Sequence, residues 1–167
     1  MRLNKVDLLH SGTPADVFRP AGSDRIYKLF KRLPKDSGGR AVQAVFDAET
    51  EAYRIVNACP ETASSVPRYF GQASIRGVDT ADGTDASRGY HLHLCYSLSF
   101  VDGQELPAAA ILEHHWGRAL ADRLDELGVE YWIDGSVFLA PDKSSGVLID
   151  IATADARALY HQAFTAS

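Results

Sequence analysis

The sequence predicts an α+β protein in two lobes: a five-stranded antiparallel sheet with one helix over residues 1–101, then a smaller, mainly helical lobe over 102–167. Three observations predict it. The first third alternates short β-type runs with Gly, Pro and Asp turns. One long stretch, "AVQAVFDAETEAYRIVN", repeats apolar residues at helical spacing. A short link, "FVDGQEL", separates these from an amphipathic helix and a hairpin.

The elements follow in order. "KVDLLH", "VFRP" and "RIYKLF" read as strands, separated by the turns "SGTPAD" and "AGSD". After the polar "KRLPKDSGGR" comes the first helix, and then strands at "RYFGQASI" and "YHLHLCYSLSF". Between them "RGVDTADGTDASRG" reads as a poorly ordered surface loop. In the second lobe Ile111, Leu112, Trp116, Ala119, Leu120, Leu124 and Leu127 recur at helical spacing, with Gly128 placed as the C-terminal cap. "SVFLA" and "VLIDI" flank "PDKSSG" as a hairpin, and "ATADARALYHQAFTAS" supplies a terminal helix.

Composition narrows the function classes. A formal net charge of -5 argues against a general nucleic-acid or membrane-surface binder. Two distant cysteines, Cys59 and Cys95, make neither a disulfide framework nor a metal motif. "MRLNKVDLLHSG" has no apolar signal core, and no stretch is long enough to cross a bilayer. The expectation is a cytoplasmic protein, although one delivered as an effector would read the same.

"RIYKLFK" then raises a question of charge. Lys28 shares a strand face with Ile26 and Phe30, where an unpaired ammonium would cost several kcal/mol. Glu49 answers it from the first helix. It falls on the apolar stripe of Val42, Val45, Phe46, Ala52, Tyr53 and Val56, whereas Glu51 lies with Asp47 and Arg54 on the solvated side. The alternative is a lysine whose stem covers apolar surface while its head reaches water. Asp150 ends the otherwise apolar "GVLIDIA", as a cap or as a functional carboxylate. Gly12 and Pro14 sit in a tight turn whose backbone N–H groups could face an anion.

Taken in order, these motifs resemble the protein-kinase-like superfamily. "SGTPADVF" is similar to a reduced glycine-rich loop, with Gly12 at its central glycine and Val17 at the following valine; His10 and Ala15 stand at the other glycine positions. The resemblance implies that Lys28 contacts the α- and β-phosphates of ATP and that Glu49 pairs with it. It places Ser99, Phe100 and Val101 at the hinge, and makes Asp150 the Mg²⁺ ligand, with Ile151 and Ala152 in place of the usual Phe-Gly.

The catalytic loop departs from that pattern. Aligned on "VFL", the aspartate position holds Trp132 and the asparagine position Val137, neither of which accepts a proton or binds a metal. Asp134 stands nearby, as a turn residue in "IDGS" or as a recruited base. After Asp150 the sequence offers one helix, where the family has an activation segment and a substrate platform. The expectation is therefore a pseudokinase-type module that binds a nucleotide or a protein partner. The alternatives are an atypical phosphotransferase using Asp134 and Asp150, or a kinase-like cleft turned to another small molecule. His91 with His93, and His114 with His115, make a metal site conceivable, but no cysteine or carboxylate joins them at ligand spacing.

Overall fold

The computed structural model describes residues 1–36, 38–132 and 135–154. Asp134 and all of the expected terminal helix after Ala154 lie outside the described residues; its first residues, Ala152 and Thr153, are strand instead. The chain forms β1 (Arg2–Asn4), β2 (Leu8–Ser11), β3 (Ala15–Phe18), β4 (Arg25–Lys31), α1 (Arg40–Ala58), β5 (Tyr69–Gln72), β6 (Gly77–Asp79) and β7 (Tyr90–Ser99). There follow β8 (Gln104–Pro107), a 3-10 segment at Ala108–Glu113, α2 (His115–Glu126), β9 (Val129–Tyr131), β10 (Ser136–Leu139), β11 (Gly146–Leu148) and β12 (Ile151–Thr153). No described helix is long and apolar enough to cross a membrane.

The contacts divide the chain into two compact units. One holds Met1–Asp47 and Phe70–Phe100; the other holds Ala48–Tyr69 and continues from Val101. In the first, five strands form an antiparallel sheet in the order β2-β3-β4-β7-β5. The register sorts its side chains. Asp16 faces Leu29 across β3 and β4, and Leu29 faces Cys95 across β4 and β7, so these residues share one face. That face buries Phe18, Leu29 and Cys95 against Leu3, Ile75, Val78 and Tyr90. On the other face the N-terminal part of α1 brings Phe46 to 5.7 Å from Phe30 and 6.1 Å from Tyr96.

α1 starts where the Asp36 carboxylate accepts the backbone N–H groups of Ala41 and Val42, at 3.3 and 3.0 Å. Its stripe is as the spacing predicts: Val42, Val45, Ala52 and Val56 are wholly buried, and Glu49 is 2% exposed. Glu51 instead pairs with Arg54 at 2.6 Å on the solvated side.

Two expectations about the first unit are corrected. "KVDLLH" is not one strand. Lys5–Asp7 form a 3-10 turn because the Asn4 side chain accepts the Val6 N–H at 3.0 Å, and β2 begins only at Leu8. The segment expected as a loose loop is built into the fold: β6 pairs in parallel with β1, and Val78 is fully buried. Val78 is the apolar anchor that the polar composition of the segment concealed.

The second lobe is not mainly helical as expected: from Val101 on, the described residues form five strands and one α-helix, with β8, β10 and β11 in a three-stranded sheet and β9 antiparallel to β12. "FVDGQEL" is thus more than a link, since Gln104–Pro107 pair with Ser136–Leu139. The hairpin between β10 and β11 forms as expected. α2 is shorter at its start than the periodicity predicts: Ile111 and Leu112 lie in the preceding 3-10 segment, where Ile111 is still buried. Its end is as expected, with Gly128 at φ +67 in the left-handed region.

Candidate functional site

Lys28 stands in the middle of β4, paired across the sheet with Val17 on one side and Tyr96 on the other. The three share a face, so the lysine rises between a β-branched residue and an aromatic ring. It is half-buried, and its Nζ lies 6.0 Å from the centre of the Phe30 ring. The sequence-predicted Val17 and Lys28 are therefore neighbours. Lys28 belongs to the first unit and Glu49 to the second.

Gly12 sits differently from the expectation. Its N–H is spent on the Ala15 carbonyl at 2.9 Å, and its own carbonyl accepts from Lys31 Nζ at 2.6 Å. A Cβ there would meet only ordinary contacts, the nearest at 3.5 Å. The turn uses this amide to close the hairpin instead of offering it to an anion. At the end of β7 Ser99 pairs with Arg25, and just beyond it the Arg19 guanidinium covers Phe100 at 3.4 Å from the ring centre. Val101 opens the second stretch of the second unit.

The most strongly held charge in the first unit is one the sequence reading passed over. Asp16, beside Val17 in β3, is 1% exposed. Its carboxylate accepts from Lys31 at 2.8 Å, Lys5 at 2.9 Å and Ser11 at 2.7 Å, and from the Tyr90 hydroxyl. Burial by itself pushes this carboxyl up, but the bonds from Lys31, Tyr90, Ser11 and Lys5 outweigh it and hold Asp16 well below the usual range. Burial, then the neighbouring Asp16, raises Tyr90. The signal available was strand alternation, which puts Asp16 on the face of Phe18, where a lone carboxylate needs partners.

In the second unit the structure builds a tight corner around Asp150. The residue has φ +60, uncommon for anything but glycine, and lies between β11 and β12. Its carbonyl accepts the Trp132 N–H at 2.9 Å and its own N–H reaches the Tyr53 hydroxyl at 3.2 Å. Ile149 N–H bonds the Ser136 carbonyl at 2.9 Å. Gly135 is held against this corner, for a Cβ there would come within 3.3 Å of the Asp150 Cβ. These bonds fix the backbone and present a half-buried carboxylate.

The two positions expected to lack catalytic groups are packed as apolar residues. Val137 is fully buried in β10, opposite Leu148 and Leu106. Trp132 packs on Ala48 and Ala152. His91 and His93 meet edge to face at 5.9 Å, and burial, then nearby Arg32 and His93, lower the His91 pKa. Among the described residues no three of His, Cys, Asp and Glu gather as a metal-binding group. No family model and no curated protein matches this chain.

Proposed function

We propose that the chain is a nucleotide-binding module of the pseudokinase type, which holds ATP without transferring its phosphate. The observation that supports this reading is the pairing, in the second unit, of a firmly placed carboxylate with apolar neighbours. Asp150 is held on left-handed backbone, while Trp132 and Val137, which this reading sets at the positions of base and second metal ligand, are packed as apolar residues. In-line transfer needs a group to orient the acceptor hydroxyl and ligands to fix its metals. Neither side chain supplies one.

In this reading Lys28, half-buried between Val17 and Tyr96, contacts the α- and β-phosphates. Asp150 offers one carboxylate to Mg²⁺. That donor fits a hard cation that keeps several waters and binds one or two carboxylates together with substrate phosphates. The metal would serve to neutralise phosphate charge.

Two measurements test the reading. ATP at a hundred times its Kd should stabilise the chain by about 2.7 kcal/mol, a shift of several degrees in Tm. Lys28→Met should lose that shift, and Asp150→Asn should lose only the part that depends on Mg²⁺. Radiolabel from ATP should reach neither the chain nor a general acceptor. Labelling that disappears in both Asp150→Ala and Asp134→Ala would replace this reading with an atypical phosphotransferase. Absence of any ATP shift would retire the nucleotide and leave a protein partner or another small molecule.

A further inference from the structure

A hollow of about 480 Å³ in the first unit is lined by Arg32, Ser87, Arg88, Tyr90, Leu92 and His93. It opens where β4 ends and β7 begins, at the irregularity that lets Lys31 pair with Tyr90 after Leu29 has paired with Cys95. It is broad and open to solvent, and Arg32, Arg88 and His93 are exposed on its rim. At about 30 Å³ per water, it is also larger than a lone phosphate would fill.

The charge in this hollow is one-sided. Arg2, Arg54 and Arg123 each pair with a carboxylate. Arg32 spends its Nε on the Tyr90 carbonyl at 3.0 Å, which anchors the guanidinium and leaves both terminal nitrogens. The Arg88 side chain has no hydrogen bond or ion pair among the described residues. No carboxylate lines the hollow. The Ser87 hydroxyl is committed to Asp85 and to the Val78 N–H, so it shapes the wall. In a chain of net charge -5, two guanidiniums around one concavity form a local inversion of sign.

Guanidinium forks match the planar oxygen pairs of phosphate. Leu92, packed on the core beneath, adds apolar surface beside them. We propose that this hollow binds a small organic phosphate ester, with Arg32 and Arg88 on the phosphate oxygens and Leu92 under the organic part. The site is separate from the one assigned to Lys28. Arg32 follows Lys28 by four residues, about 13 Å at the rise of an extended strand.

Phenyl phosphate titrated into the full chain at low ionic strength, followed by backbone amide NMR, tests this. Saturable shifts are expected at Arg32 and across residues 87–93. Arg88→Gln should weaken binding at least tenfold, Arg88→Lys should fall between, and Arg54→Gln, whose guanidinium pairs with Glu51 on the solvated side of α1, should leave the affinity unchanged. Inorganic phosphate should move the same residues with at least threefold lower affinity. The proposal is overturned by the absence of saturable shifts, by unchanged affinity in Arg88→Gln, or by shifts centred on Lys28. Equal affinity for the ester and for inorganic phosphate would overturn its organic half.

Discussion

Asp16 carries the heaviest local burden at the scale of single residues. It ties Lys5, Ser11 and Lys31 to Tyr90, and so joins the turn before β2, the β2–β3 hairpin, β4 and β7 through one carboxylate. Replacing one member of a buried ion pair costs about 3–5 kcal/mol when the partner is stranded. Lys5 and Lys31 keep 32% and 25% of their side chains exposed, so water relieves part of that loss. Asp16→Asn should therefore destabilise by about 2–3 kcal/mol, read as a drop in urea midpoint at unchanged slope. A change below 0.5 kcal/mol would mean that the cluster is no more than a surface network, where the median pair contributes about 0–1 kcal/mol.

At the scale of elements, the segment 76–89 departs most from its composition. Nine of its fourteen positions are Asp, Gly, Ser or Thr and read as loop, yet the chain returns on itself at Asp79 and Asp85, and Thr80 N–H bonds the Thr84 carbonyl at 2.8 Å. That return sets Val78 beside Leu3 in the core. Val78→Ala should cost about 2–3 kcal/mol by transfer and cavity terms together. Deleting Thr80–Ala86 should destabilise as well, because it removes the closure that holds β6. A deletion variant with wild-type Tm would restore the loose-loop reading. Elements marked by strong local signals behaved otherwise: α1 and the end of α2 at Gly128 fall where stripe and cap place them.

At the scale of the whole molecule, acidity should be the main solvent control on stability. The folded pKa of Asp16 lies below its unfolded value of about 3.9, so the native state binds fewer protons than the unfolded state across that interval. The contribution is present in full above the unfolded value and is lost as pH falls through the folded one. Unfolding free energy should thus begin to fall near pH 4 and continue downward, with a shallower slope in Asp16→Asn. Identical acid profiles for the two proteins would show that other carboxylates set the slope. Half-buried Asp79 and exposed Asp82 and Asp85 are lowered too, by bonds from Arg2, Thr80 and Ser87, but so near to solvent such bonds weigh less.

What the sequence determined by itself was set by local periodicity and by residues with restricted backbones. Alternation placed Lys28 on the Phe30 face, the 3.6-residue stripe turned Glu49 inward and Glu51 outward, and Gly128 stopped α2. The order of Gly12, Val17, Lys28, Glu49 and Asp150 along the chain was equally plain. Tertiary structure decided the rest, since it depended on which distant strands meet. Leu3 and Val78 stand far apart along the chain and become neighbours through β1 and β6. Asp16 gains Tyr90 only when β7 crosses the sheet, and Arg32 and Arg88 face one hollow only because Lys31 pairs with Tyr90. Pairing across such separations is paid in loop entropy and repaid by the whole core at once, so no short window of sequence carries its signature.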